Sequence, residues 1–202
     1  QCGLHRVTVR PTLGPEPRCH ELANWPGLMN GGLSRVGVLN HFWVSREHRE
    51  FQVEDFYHQY LGRASDAWGK VQWVNLLING ASEQDVIAGF LGSAEFRASH
   101  PTVADLVEGL YETLLGRAPD SFGDPQWIAL LNQGATVDAV VRAFLATPEQ
   151  IGDRIDGFFE TWLGRLPTQF ERAFFLDRAV GQDGITAVAR LLLLSDEFWN
   201  AA

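Results

Sequence analysis

Cysteine is almost missing from this chain. Two are present, Cys2 and Cys19, and both lie near the start. That excludes a disulfide-dense scaffold and a four-cysteine zinc site. One disulfide between Cys2 and Cys19 would imply an oxidising compartment, and two free thiols fit the count equally well. Zinc held by Cys2, His5, Cys19 and His20 is disfavoured, because Cys19 and His20 are adjacent and metal ligands normally stand further apart. Long apolar runs are missing too. The longest, such as Leu191 to Leu194, fall far short of the roughly 20 residues a spanning helix needs, so no transmembrane segment is expected. No signal peptide is legible, so targeting assigns no compartment. Gln1 fits a mature end or a trimmed fragment.

Positive charge is scarce. Sixteen Lys and Arg face 25 Asp and Glu, giving a net charge of −9. With no basic stripe, nucleic acid is not an expected partner. Motifs of chemistry are missing as well: no nucleophile elbow, no metalloprotease helix, no Gly-rich dinucleotide turn. His41, His48 and His58 stand near no Cys or Ser in a triad pattern. Paired acids such as Glu54 and Asp55 read as the solvated face of a helix. The sequence therefore predicts no enzyme, no catalytic residue, no cofactor and no metal. Strand alternation is absent, which points to an all-α fold. Hydrophobic residues make up 46% of the chain, with 13 Phe and 7 Trp, so there is ample material for a core.

What is present is a phrase written several times. Residues 61–66 read LGRASD, 115–120 read LGRAPD and 163–168 read LGRLPT. Taking the Leu as origin gives Leu13, Leu61, Leu115 and Leu163, spaced by 48, 54 and 48 residues. Twelve residues on stand Trp25, Trp73, Trp127 and Phe175. Thirty-two on stand Ser45, Ser93, Thr147 and Ser195, and two further stand Glu47, Glu95, Glu149 and Glu197. The six extra residues of the longer interval fall in RASHPT. Regular spacing of this kind marks a repeat architecture. It predicts an all-α helical repeat of about four units of roughly 48–54 residues: a degenerate first unit in an irregular segment 1–50, then units at 51–98 and 99–150, and a divergent unit at 151–202.

Each repeat reads as helices. Val53, Phe56, Tyr57, Tyr60 and Leu61 follow helical spacing, as do Val107, Leu110, Tyr111, Leu114 and Leu115, and Ile155, Phe158, Phe159, Trp162 and Leu163. Gly62, Gly116 and Gly164 follow each stripe, where a helix end favours positive φ. Asn79-Gly80 ends a second helix. Ser82 with Asp85, and Thr102 with Asp105, read as capping boxes. Ser93, Thr147 and Ser195 read as N-caps of a short fourth turn. In the first repeat, Pro11 and a β-branched run oppose a helix, so residues 1–32 are expected to be irregular.

A Gly-Arg pair raises the question of a phosphate cradle. A P-loop needs several glycines and a Lys-Ser/Thr after a strand, and here one Gly follows a helix. A calcium loop needs alternating oxygens, and Asp120 and Asp124 alone do not supply them. The expected roles are structural. Arg63, Arg117 and Arg165 lie beyond a helix C-terminus, and each is expected to grip Glu95, Glu149 or Glu197 of its own or a neighbouring repeat. Asp66 and Asp120 are expected to cap the second helix. Trp73, Trp127 and Phe175 are core candidates. Seven residues after the origin stand His20, Trp68, Phe122 and Phe170. Trp68 and Phe122 are either packing plugs or ligand contacts on which a sugar ring stacks.

FYHQYLGRASDAWGKVQWVNLLINGASEQDVIAGFLGSAEF, and LYETLLGRAPDSFGDPQWIALLNQGATVDAVVRAFLATPEQ after it, resemble a bacterial domain of unknown function. Its pattern is an aromatic, then L-G-R-x-P-D-x-x-G-x-x-x-W, then L-x-x-G, then a helix ending in S-x-E-F. Residues 51–150 match well. Residues 155–198 depart from it at Leu166, Thr168 and Phe175. The resemblance implies a repeated module of secreted or surface proteins, and so an extracellular or cell-envelope location. The pattern is also similar to the helical repeat of phycobilisome linker polypeptides, which implies assembly and a linker role. The expected function is thus a non-catalytic interaction or scaffold module that binds a protein partner or assembles with itself. The alternatives are a polysaccharide-binding module and a linker subunit of a large photosynthetic complex.

Overall fold

The computed structural model describes residue 32 and residues 34–120, 123–179 and 184–201. Cys2, Cys19 and Phe122 lie outside the described residues, as does most of the first repeat. Among the described residues there is no strand, and the chain is an all-α helical repeat. The helices are α1 (Arg35–Trp43), α2 (Arg46–Leu61), α3 (Ala67–Ile78), α4 (Glu83–Leu91), α5 (Ala94–Ser99), α6 (Val103–Leu115), α7 (Gly123–Asn132), α8 (Val137–Leu145), α9 (Pro148–Leu163), α10 (Gln169–Ala179), α11 (Gly184–Leu194) and α12 (Asp196–Ala201). No described helix is long and apolar enough to cross a membrane.

The repeat register holds in three dimensions. Helices α1, α4, α8 and α11 begin 22, 22, 22 and 21 residues after their Leu origins. The segment 1–50, expected to be irregular, is therefore helical from Arg35 onward. The cause is local: the Ser34 hydroxyl accepts from Gly37 N at 3.2 Å and starts α1. The cap 32 residues after each origin also recurs. Ser45, Ser93, Thr147 and Ser195 accept from the amides of His48, Phe96, Gln150 and Phe198 at 3.2, 3.1, 3.3 and 3.2 Å.

These caps do not all start short turns. Ser45 and Thr147 open helices of 16 residues, α2 and α9, that run without a break into the next Gly-Arg joint. Ser93 opens a helix of 6 residues, α5, and α6 starts afresh at the Thr102–Asp105 capping box. Of the inserted RASHPT, the first three residues extend α5, and His100, Pro101 and Thr102 separate it from α6. Pro101 lacks the amide that would continue the helix, and His100 leaves helical geometry at φ −130°, ψ 73°.

The described residues fall into two compact units: those within Leu91–Ala189 in one, and those within Thr12–Phe90 and Arg190–Ala202 in the other. In the second, α2 packs on α3, and Phe56, Tyr57 and Tyr60 close around Phe90 of α4. The chain's last helices reach α1 there. Arg190 bonds Asn40, and Arg35 pairs with Asp196 at 2.5 Å while lying 5.3 Å from the Trp199 ring. In the first unit, α6 packs on α7 and α9 on α10, with Leu110, Leu114, Val141, Phe144, Ile155 and Phe158 fully buried.

Aromatic packing repeats in detail. Tyr57 meets Phe90 edge-on at 4.9 Å and 87°, and Trp73 stacks on the same ring at 4.9 Å. Tyr111 meets Phe144 edge-on at 5.0 Å and 87°, and Trp127 stacks on it at 4.5 Å. Trp73 and Trp127 are half-buried, each lying as a lid on a core phenylalanine. Phe175, in the register of Trp73 and Trp127, instead meets Phe159 edge-on at 5.7 Å, and Leu192 stands where the other copies have Phe90 and Phe144.

Candidate functional site: the Gly-Arg joint and the ring beside it

The joint begins where the leading helix stops. Gly62, Gly116 and Gly164 adopt φ of 66°, 62° and 65°, the left-handed conformation that a side chain resists. This reverses the chain and brings the next residue, an arginine, back over its own helix. Arg63 lies 4.8 Å above the Tyr57 ring, Arg117 5.0 Å above Tyr111, and Arg165 5.0 Å above Phe159. Each guanidinium also donates to the carbonyl of the following residue, at 2.9, 3.1 and 3.1 Å. Ring below and carbonyl beside fix the cation by cation–π attraction and hydrogen bonding.

The carboxylate that completes the joint differs between copies. Arg117 forms a bidentate pair with Glu149, at 2.6 and 2.8 Å, and bonds Asp120 at 3.2 Å. Glu149 holds Arg117 through its side-chain hydrogen bonds first, so the guanidinium is shifted further toward permanent charge and the carboxyl is lowered. Arg63 pairs with Asp66 at 3.7 Å. Arg165 takes Glu171 in both arms of its fork, at 3.0 and 2.7 Å. Glu171 was not among the expected partners. Glu95 and Glu197 both stand in the first turn of their helices, α5 and α12.

Asp66 caps α3 as expected, accepting from Gly69 N at 2.7 Å. It also accepts from the Tyr57 hydroxyl at 3.4 Å. That hydroxyl explains the glycine three residues after the Asp. A Cβ at position 69 would lie 2.1 Å from the Tyr57 oxygen. The third copy resolves the same crowding differently. Phe159 stands where the others have Tyr57 and Tyr111, Thr168 stands for Asp66, and Glu171 stands for Gly69. Without the ring hydroxyl, position 171 carries a side chain. Thr168 and Glu171 then form a capping box: Glu171 N donates to the Thr168 hydroxyl at 3.3 Å, and Thr168 N donates to the carboxylate at 2.7 Å. Hydrogen bonds from Arg165, the stronger influence, and from Thr168 lower the Glu171 carboxyl to about 2.

One acid expected in solvent is fixed inside the joint. Glu54 accepts from Ser65 N at 3.0 Å, from the Ser65 hydroxyl at 2.5 Å and from Lys70 at 2.8 Å. These bonds, Lys70 first, lower it to about 2. The pair spans the joint from α2 to α3. Its counterpart in the third copy is Asp156 with Arg172, at 3.0 and 3.1 Å. The middle copy has two acids at those places, Glu108 and Asp124. The signal was present in the sequence as opposite charges seven residues before the Leu and nine after it.

The signature residues thus close on one another, and the ring beside them does not. Trp68, seven residues past its origin, is 76% exposed, and Phe170 at the same offset is 80% exposed. Neither is a packing plug. Among the described residues, no group of three or more His, Cys, Asp or Glu could hold a metal ion.

Comparison with protein families gives two matches to one family profile, that of a domain of unknown function (DUF4214), over residues 48–100 and 98–153. Together they span about half of the chain and cover the second and third repeats. No curated protein and no solved structure matches.

Proposed function

Since this chain belongs to the DUF4214 family, a domain of unknown function that it matches twice in succession, we propose that it is a non-catalytic interaction module. It serves as a scaffold or linker in a bacterial extracellular or envelope assembly. The observation that carries this reading is how the repeated residues are used. Gly62, Asp66 and Gly69, and Arg117 with Glu149, act on their own chain: they end a helix, cap the next one, admit a ring and tie the turn. Arg63, Arg117 and Arg165 are each laid over an aromatic ring of the preceding helix, so these three cations are already engaged inside the fold. What the repeat leaves facing water at a fixed offset is an aromatic ring, Trp68 or Phe170. A joint whose own residues are engaged within the chain, with an exposed ring beside it, suits the capture of a partner. The envelope location rests on the resemblance to modules of secreted and surface proteins.

The test is co-sedimentation of the purified chain with envelopes of its source organism. Wild-type chain is expected in the pellet, and the Trp68→Ala/Phe170→Ala double variant in the supernatant. Wild-type chain left in the supernatant sinks the proposal.

A further inference from the structure

The three joints follow one plan, and the middle one is the least fastened. From α2 to α3, Glu54 accepts from Lys70 at 2.8 Å, from Ser65 N at 3.0 Å and from the Ser65 hydroxyl at 2.5 Å. From α9 to α10, Asp156 takes Arg172 at 3.0 and 3.1 Å. Both bridges fasten the second helix of a repeat to the first. From α6 to α7, Glu108 holds the acid position and Asp124 the base position, and Pro119 stands where Ser65 supplies its donors. The cation and the serine donors are missing together, and a like-charged pair replaces an attracting one. Arg117 does not make this good, because its fork runs onward to Glu149 in α9.

Burial points the same way. In α3, Val74 and Leu77 are 0% and 4% exposed. Ile128 and Leu131 hold the same register in α7, are as large or larger, and are only half-buried. Among the described side chains of α7, Pro125 to Asn132, none is fully buried. The helices it rests on are well packed: Val107 and Leu110 of α6 and Val141 and Phe144 of α8 are fully buried. α7 is laid on them with the Trp127 ring stacked on Phe144 at 4.5 Å. Segments of a fold open in the order of how little apolar burial and how few bonds hold them. By both measures α7 is held less than α3.

We propose that α7 is a movable element of the middle repeat. It undocks from α6 and α8 while those two helices stay folded, and it lifts Trp127 off Phe144. The Phe144 ring and the Tyr111 ring that meets it edge-on at 5.0 Å are then open on the side that α7 covered. Gly116 and Gly134, at φ 62° and 95°, bound the moving segment as Gly62 and Gly80 bound α3. What sets α7 apart is therefore its fastening and not its ends. Undocking is a property of the free chain and needs no partner.

Native-state hydrogen exchange of the intact chain, read peptide by peptide by mass spectrometry, measures the opening. After correction for intrinsic rates, α7 is expected to exchange about tenfold faster than α3, with α6 and α8 remaining protected. Two single variants each restore an attracting pair, Asp124→Lys with Glu108 and Glu108→Lys with Asp124. Each is expected to slow exchange in α7 by about threefold and to leave α3 unchanged. The double variant, with two cations, is expected to return to the wild-type rate, which separates the bridge from any effect of either lysine alone. Protection of α7 equal to that of α3, exchange of α6 and α8 in step with α7, or single variants no slower than wild type overturns the proposal.

Discussion

Tyr57 and Phe159 differ by one hydroxyl, and that difference reaches position 69 and its counterpart 171. The hydroxyl fills the space a Cβ at Gly69 would need, at 2.1 Å. Gly69→Ala is therefore expected to destabilise the fold although Ala favours helices over Gly. Tyr57→Phe in the same chain is expected to restore much of that loss. Urea midpoints of the four proteins give the coupling, expected to be about 1 kcal/mol in favour of the double variant. Simple additivity would show that the hydroxyl is not the reason for the glycine. At this scale the sequence was readable wherever a residue has a local job. Gly62, Gly116 and Gly164 end helices, and Asp66 caps one, because helix termini impose those needs on their own neighbours. It was less readable where partners come from across the joint. Glu54 sits beside Asp55 and looks solvated, yet its partners are 11 and 16 residues away. Glu171 was hidden because the LGRASD and LGRAPD copies have glycine, Gly69 and Gly123, at its position.

At the scale of elements, a cap tells where a helix starts and not how far it runs. Ser45, Ser93 and Thr147 give the same signal, but α2 and α9 have 16 residues while α5 has 6. The proline and the six-residue insertion make the difference. Since α6 cannot continue from α5, its start rests on the Thr102–Asp105 box. Thr102→Ala is expected to cost about 1 kcal/mol, read as a lowered midpoint of urea unfolding followed by far-ultraviolet circular dichroism. An unchanged midpoint would mean that packing alone sets the start of α6. The first turn of α2 carries a second test. His48 is buried there, and α9 has Gln150, also buried, in the same register. Burial first, and then the charge of Arg49, lower the imidazole to about 3. The unfolded chain takes up that proton near its ordinary value of 6.5 and the folded chain does not. Stability from this group is present above pH 6.5 and declines as pH falls toward 3. His48→Gln is expected to fold and to flatten the pH dependence of the urea midpoint in that window. An unchanged slope would show that His48 is protonated in the folded protein.

Across the whole molecule, the repeat separates two tasks. Joint residues fix the turns, and the proposed function assigns the exposed rings to a partner. The four-repeat register was legible because it is carried by spacing, which insertions reveal and do not erase. The two compact units were not legible, since the divisions after Phe90 and after Ala189 follow tertiary contacts that cut across the repeats. The most direct test of this separation is to measure melting temperature and envelope binding together for Arg117→Ala. Arg117 holds Glu149, Asp120 and the face of Tyr111 from a partly exposed position. Its loss is expected to cost about 1 kcal/mol and to lower the melting temperature by roughly 2–4 °C. Binding below the transition is expected to stay at the wild-type level. Lost binding at an unchanged melting temperature would contradict the account and make the arginine itself the ligand contact.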